Sequence, residues 1–402
     1  MTSFADLTTI GVGGPVSSLV EPTEESQIVD TVRRADDAGI PVFVIGGGSN
    51  ILVSDDPFEG VVVRDARRGM SLCRGRRDSD GVCGRNRVHV EVEAGCVWDD
   101  FVADAVERGW QGVEGLSGIP GTVGASVVQN IGAYGQEVAS TVESVRVWDR
   151  LDGMIRELPA ERMRFGYRTS MLKASMYASG TVPVRAYFPT PRFVVLSVTF
   201  DLAVGRKSIV GYGQLVKALD VVVGDSMDVA AVRHAVLAIR GAKGMVEDAN
   251  RYATDAMVSM RSPESVSDAL SRQKGLDGGD LADRHSCGSF FVNPVLTTAQ
   301  ANRLPSDAPR FDAVLPDGSR GVKTSAAWLI EHAGFPKGFR LSPDSRASLS
   351  TRHTLALTNR GGATAAEIAD LARTVAAGVD RAFAVALVPE PVAVGLTVLA
   401  HA

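Results

Sequence analysis

Two glycine-rich stretches carry the residue types and spacing that most directly suggest chemistry. Gly46-Gly47-Gly48-Ser49-Asn50 joins two short apolar runs. A turn without side chains can converge its amides on phosphate oxygens as an anion nest. The spacing is not that of a Rossmann dinucleotide turn, and a strand-like apolar run follows where that unit has a helix. The bland alternative is a plain tight turn. The second stretch is Gly115-Leu116-Ser117-Gly118-Ile119-Pro120-Gly121-Thr122-Val123-Gly124-Ala125, followed by Gln129-Asn130-Ile131-Gly132-Ala133-Tyr134-Gly135-Gln136-Glu137. Flexible linkers are polar, so glycines interleaved with apolar residues suit a packed loop that hugs a ligand, or strand turns with bulges.

Three single residues could contribute polar chemistry. Arg168 has a planar fork suited to a carboxylate, though an arginine after the loop-like Phe165-Gly166-Tyr167 can equally be a surface charge. Glu390 sits between Pro389 and Pro391, which fix the backbone around it, but most strand-end carboxylates are solvated. Ser289 follows Gly288 and reads alone as a turn residue, because a free hydroxyl is a feeble acid.

The elements that must position these residues alternate in the first eighty positions. Leu19-Val20 reads as a strand, and Pro22-Thr23-Glu24-Glu25 opens a helix whose inner face is Ile28, Val32 and Ala35, closed by Gly39. Residues 41–45, 51–53 and 60–63 are further short strands, giving a small α/β unit. Residues 69–88 read as a surface insertion. Strands follow at 88–92, 145–148 and 193–202, with helices at 98–108 and 226–240. A polar stretch, 246–285, reads as an inserted irregular loop. Helices are expected at 324–333 and 364–383, the second with a Thr364/Glu367 capping box and a stripe of Ile368, Leu371, Val375 and Val379. Strands at 384–388 and 392–399 end the pattern.

Composition narrows the class. A chain of 402 residues exceeds one usual core, so two or three domains are expected. With 45% hydrophobic and 22% charged residues it is an ordinary globular composition. The net charge of −5, with scattered Lys and Arg, offers no nucleic-acid footprint. No apolar run has the length of a membrane span, and the opening residues lack a secretory pattern. Cys73, Cys83, Cys96 and Cys287 show no metal-ligand spacing, so no metal and a reduced cytoplasmic chain are expected.

Taken in order, the motifs resemble one family. The glycine stretches, Thr8-Thr9-Ile10-Gly11-Val12-Gly13-Gly14-Pro15, Tyr167-Arg168-Thr169-Ser170, Gly288-Ser289-Phe290-Phe291-Val292-Asn293-Pro294, Ala326-Ala327-Trp328-Leu329-Ile330-Glu331 and Pro389-Glu390-Pro391 are similar to those of UDP-N-acetylenolpyruvoylglucosamine reductases (UDP-N-acetylmuramate dehydrogenases, MurB), in the subtype with a substrate-closing tyrosine loop. The resemblance implies an α+β chain with an FAD-binding fold of the vanillyl-alcohol-oxidase (PCMH) type. Its two subdomains would be 1–75 (joined by 393–402) and 76–243, followed by an α+β substrate-binding domain, 244–392. It implies non-covalent FAD, NADPH as co-substrate, and reduction of UDP-N-acetylglucosamine enolpyruvate to UDP-N-acetylmuramate for peptidoglycan. Hydride goes from flavin N5 to C3 and a proton to C2. A cytoplasmic monomer without nucleic-acid or membrane partners is expected.

Residue by residue, the resemblance assigns FAD contacts to Gly46, Gly47, Gly48, Ser49, Asn50, Ile51, Ser117, Ile119, Pro120, Gly121, Gly124, Ala125, Tyr134 and Gly135. Arg168 is the cation that stabilises charge developing on the enolpyruvyl carboxylate, Glu390 assists it, and Ser289 protonates C2. Phe290 and Phe291 are expected to wall off water. Tyr212, Lys243, Asn293 and His332 are the substrate contacts. Thr169 stands where the family often has aspartate, and His332 where glutamine is common. The insertions 69–88, 173–193 and 246–285 have no family counterpart. Two other readings stay open: an alcohol or sugar oxidase on the same fold, and a non-enzymatic nucleotide-binding module.

Overall fold

The structure is a computed structural model and describes residues 2–73, 86–178, 182–274, 281–315 and 317–399. Near the N-terminus, Val16–Val20, Phe58–Val63 and Val42–Val44 form a parallel sheet in that spatial order. Parallel pairing needs a crossover, and the Glu25–Asp37 helix supplies it, burying Ile28, Val32 and Ala35 as the sequence pattern predicts. The Ile51–Val53 strand turns away from this sheet. It pairs instead with Val392–Val394, so the far end of the chain closes the first unit.

A six-stranded sheet follows, built on the antiparallel path Met154–Pro159, Val142–Asp149, Phe193–Val204, Arg87–Glu93 and Met70–Leu72. Trp98–Glu107 packs over it through Trp98, Phe101, Val102 and Ala105, with Trp98 and Phe101 against Phe200. The glycine-rich 115–125 stretch is only partly a loop. Its end becomes the Val123–Gln129 helix, capped by the Thr122 side chain at one end and by Asn130 in the left-handed region at the other. Valines at 123 and 127 pack inward, which outweighs the helix cost of Gly124.

The C-terminal core centres on the Ala365–Phe383 helix. Its predicted capping box is present, and Ile368, Leu371, Val375 and Val379 are fully buried. The Ala326–His332 helix and the Ala347–Leu349/Leu357–Asn359 hairpin pack around it.

Several expectations change. Residues 246–274 and 281–285 are not an irregular loop: they contain the Pro263–Lys274 helix and two short turns, with Tyr252, Met257 and Met260 buried, while 275–280 lie outside the described residues. The polar composition misleads because the segment's charges are used in packing: Arg251 pairs with Glu247, and Arg261 with Asp100 at 3.2 Å. From outside it, Arg64 reaches Met257 Sδ at 2.9 Å and bonds the Ala256 carbonyl, and Arg68 Nε donates to Met260 O at 3.1 Å. Residues 384–388 are not a strand. Ala384 takes a left-handed C-cap at φ 52°, and the chain that follows forms a single bridge, Phe291 to Pro389. Of 392–399 only Val392–Val394 is a strand; 400–402 lie outside the described residues. Residues 226–228 pair with Lys207–Ile209, so the helix begins at Val229. In the two remaining insertions, Met70–Leu72 joins the main sheet, 74–85 lie outside the described residues, and 173–193 begins inside the Met171–Ala174 helix.

Candidate active site

Arg168 sits at the tip of a tight turn closed by reciprocal hydrogen bonds between Gly166 and Thr169. Its φ of 57° is a conformation most residues avoid, which persists only where the surroundings determine it. They do so from three sides. Nη2 donates to Gly132 O at 2.5 Å, the guanidinium lies 5.0 Å from the Tyr167 ring centroid, and Nε is 3.3 Å from Glu390 Oε1. A Cβ on Gly132 would stand 2.7 Å from Arg168 Nη1, so that glycine is required by close approach.

Glu390 reaches this arginine through a short ladder. Val292 N donates to Val388 O at 3.0 Å and Glu390 N to Phe290 O at 2.9 Å, which puts Glu390 beside the Ser289–Phe290 peptide. The half-buried Ser289 hydroxyl has no hydrogen-bond partner among the described residues. Phe290 and Phe291 are both fully buried in the C-terminal core, 5.2 Å apart. They anchor the serine segment from behind and do not wall off the reacting centre as the sequence suggests.

Two side chains that sequence reasoning passed over complete the cluster. Gln129 Nε2 donates to Glu390 Oε1 at 3.1 Å, and Lys173 Nζ donates to Gln129 Oε1 at 2.7 Å and to Glu390 O at 3.3 Å. Burial pulls the Lys173 ammonium down to about 8, an effect that Glu390 opposes and Arg168 reinforces. The usable signal was its place three residues after Ser170, whose side chain caps the Met171–Ala174 helix. Burial also pushes the nearby Cys287 thiol up to about 12, so it is an inert core residue.

Gln129 and Lys173 also line a solvent-open cavity together with the 46–51 turn. Phe43, Val44, Ile45 and Val194 give it apolar walls, and Gly124 and Ala125 close one side. The turn leans directly on the second glycine stretch: Ser49 Oγ donates to Pro120 O at 2.9 Å, and a Cβ on Gly47 would meet Gly121 Cα at 2.7 Å. An apolar slot lined by the backbone of that turn fits a flavin ring system and its pyrophosphate.

The expected flavin residues divide. Gly46, Gly47, Gly48, Ser49, Asn50, Ile51, Gly124 and Ala125 line the cavity. Gly121 packs beneath the turn, and Ile119 and Pro120 line a smaller neighbouring recess with Asp99 and Tyr252. Ser117 is wholly buried, does not line the cavity and donates to Glu114 O at 2.6 Å. Tyr134 and Gly135 lie with the substrate candidates: the Tyr134 ring meets Tyr212 edge-on at 5.6 Å, and Lys243 Nζ is 5.9 Å from its centroid. The reason is conformational, since Tyr134 at φ 49° swings out of the glycine stretch.

Among the substrate candidates, Lys243 donates to Gln214 at 2.8 Å, and burial beside Arg240 lowers its affinity for a proton. His353, unremarked in the sequence, is pulled by burial down to about 4, with Lys243 and Lys337 adding to the shift. Asn293 Oδ1 accepts from Ala326 N at 2.9 Å, which ties it to the start of the Ala326–His332 helix. His332 is not brought in. It is exposed, stacks on Trp328 at 3.8 Å and bonds the Trp328 carbonyl at 2.8 Å, turned back on its own helix.

Known proteins resemble the chain across its length. Residues 16–159 match the model of an FAD binding domain, and 280–394 that of the UDP-N-acetylenolpyruvoylglucosamine reductase C-terminal domain. The UDP-N-acetylenolpyruvoylglucosamine reductase of Cutibacterium acnes is 42% identical over 98% of this chain and 90% of that protein. The Thermobifida fusca protein of the same name is 41% identical over 98% and 97%. The crystal structure of that reductase from Thermus caldophilus, at 22% identity, aligns with a TM-score of 0.51 over 98% of this chain and 97% of its own, which supports the fold.

Proposed function

The chain belongs to the UDP-N-acetylenolpyruvoylglucosamine reductase family, and on that premise we propose that it reduces UDP-N-acetylglucosamine enolpyruvate to UDP-N-acetylmuramate with electrons from NADPH, in peptidoglycan precursor synthesis. It is an FAD-dependent oxidoreductase with an FAD-binding fold and a C-terminal α+β domain. We further propose the division 1–75 with 393–402, 76–243 and 244–392, and a cytoplasmic monomer; no helix among the described residues is long and apolar enough to cross a membrane.

FAD supplies the hydride relay between the two substrates. The chain's own residues do the rest. Arg168, held by Gly132 and Glu390, offers a fixed positive charge to the substrate carboxylate where negative charge grows. Ser289 is the proton donor to C2, and Glu390, from the segment bridged to it beside Pro389, orients the group it serves. Tyr134, Tyr212 and Lys243 form a mouth suited to the diphosphate. The observation that carries the reading is that Gln129 and Lys173 belong both to the cavity lined by the 46–51 turn and to the hydrogen-bonded cluster around Glu390.

Rapid mixing of purified yellow protein tests it. NADPH should bleach the flavin, and the UDP-enolpyruvyl sugar should restore the colour anaerobically. Restoration by oxygen alone, with the UDP-sugar inert, would sink the proposal in favour of an oxidase.

A further inference from the structure

We infer that Lys173 is a positioning residue of the reductive site: its ammonium sets the orientation of the Gln129 amide, and the amide together with Arg168 holds the Glu390 carboxylate. The inference rests on the reductase reading above.

A lysine ammonium only donates, so the end of an amide that faces it must be the carbonyl. Lys173 Nζ lies 2.7 Å from Gln129 Oε1, which leaves the amide NH2 at the other end. That NH2 is 3.1 Å from Glu390 Oε1, a charge-assisted donor contact. The same carboxylate oxygen is 3.3 Å from Arg168 Nε. A second contact, from Nζ to the Glu390 carbonyl at 3.3 Å, ties the lysine to the backbone of the residue it serves.

The relay is anchored at its start. Ser170 Oγ donates to Val128 O at 2.7 Å and accepts from Lys173 N at 3.2 Å, locking the lysine's helix onto the helix that carries Gln129. Oε1 of Glu390 is thereby committed to the protein. Its Oε2 has no protein partner among the described residues and is the oxygen left for substrate. Without the ammonium, the amide can rotate and turn its carbonyl toward the carboxylate, a repulsive arrangement that would release Glu390 and loosen Arg168. Lys173 does this work only while protonated. The ionisable groups facing it among the described residues are Glu390, from the loop before Val392–Val394, and Arg168, from the 166–169 turn.

The test uses flavin-loaded full-length protein and the variants Lys173→Met, Gln129→Leu and the double variant, with visible spectra recorded first. In K173M, anaerobic reoxidation by UDP-N-acetylglucosamine enolpyruvate should slow about 10- to 100-fold relative to that variant's own NADPH-driven bleaching. Q129L should show the same split, and the double variant should be no slower than the worse single, because the two act as one unit. Reoxidation in the wild type should fall as pH rises through about 8, and K173M should lack that limb. Reoxidation at the wild-type rate in K173M, or multiplied losses in the double variant, would overturn the inference. If K173M does not hold flavin, Q129L decides alone, and an unslowed Q129L overturns it. A wild-type protein whose flavin the UDP-sugar cannot reoxidise would instead overturn the reductase reading, before any variant is made.

Discussion

At the residue scale the site is a small set of mutually constrained groups around one carboxylate. Ser289 is acidic only by placement, so Ser289→Ala should leave NADPH-driven flavin bleaching intact and slow reoxidation by the UDP-sugar about 10²–10⁴-fold. Stopped-flow traces of both half-reactions check this, and equal slowing of both would refute the proton-donor role. Gly132 offers a subtler lever. Gly132→Ala places a methyl 2.7 Å from Arg168 Nη1 and must push the guanidinium off Glu390. Substrate turnover should fall at least tenfold, with thermal stability changed by less than about 1 kcal/mol, since the guanidinium can move toward solvent. Retained turnover would mean that Arg168 tolerates displacement. At this scale the sequence was partly legible. Arg168, Glu390 and Ser289 stood out through their motifs. Gln129 and Lys173 did not, because an amide and a lysine acquire a role only from the partner that faces them. His332 had the right neighbours in sequence, yet its stacking on Trp328 turns it away.

At the element scale the decisive pieces are short and held from outside. The 166–169 turn carries Arg168, the Met171–Ala174 helix carries Lys173, and the bridge at Phe291 and Pro389 brings Ser289 and Glu390 together; none of these pieces would be stable alone. The Ala365–Phe383 helix is the opposite case: long, capped and amphipathic, it was read from sequence nearly to the residue. Leu371→Ala, at a fully buried position, should cost about 2–5 kcal/mol. Loss of the Thr364 cap by Thr364→Ala should cost only about 1 kcal/mol. Denaturant unfolding followed by circular dichroism separates them, and a cost under 1 kcal/mol for L371A would contradict its place in the core. Where periodicity was weak, as in 246–285 and 384–388, the reading failed. In those segments a few anchored side chains or a single bridge replace a repeating pattern.

At the scale of the whole molecule, chain segments far apart in sequence close the same site. Val392–Val394 pairs with the strand that follows the glycine turn, and Thr9 Oγ1 donates to Ser286 O at 2.6 Å, three residues before Ser289. Arg64 is a further clasp: 1% exposed, it holds Glu21 at 2.6 Å and the Ala256 carbonyl, tying residues 249–260 to the first sheet. Arg64→Leu leaves those acceptors without their donor and should cost about 3 kcal/mol. Flavin should then be released at a lower temperature, which the rise of flavin fluorescence on heating would register; an unchanged release temperature would show that the clasp is dispensable. The sequence by itself determined the family, the cofactor class and the long helices, and nominated Arg168, Ser289 and Glu390, because those depend on local patterns and ordered motifs that survive without coordinates. Only the tertiary structure decided that Tyr134 stands with Tyr212, that His332 turns away and that Lys173 commands the Gln129 amide. Those outcomes depend on side-chain direction and on contacts between segments up to about 220 residues apart, as between Lys173 and Glu390, which no local spacing encodes.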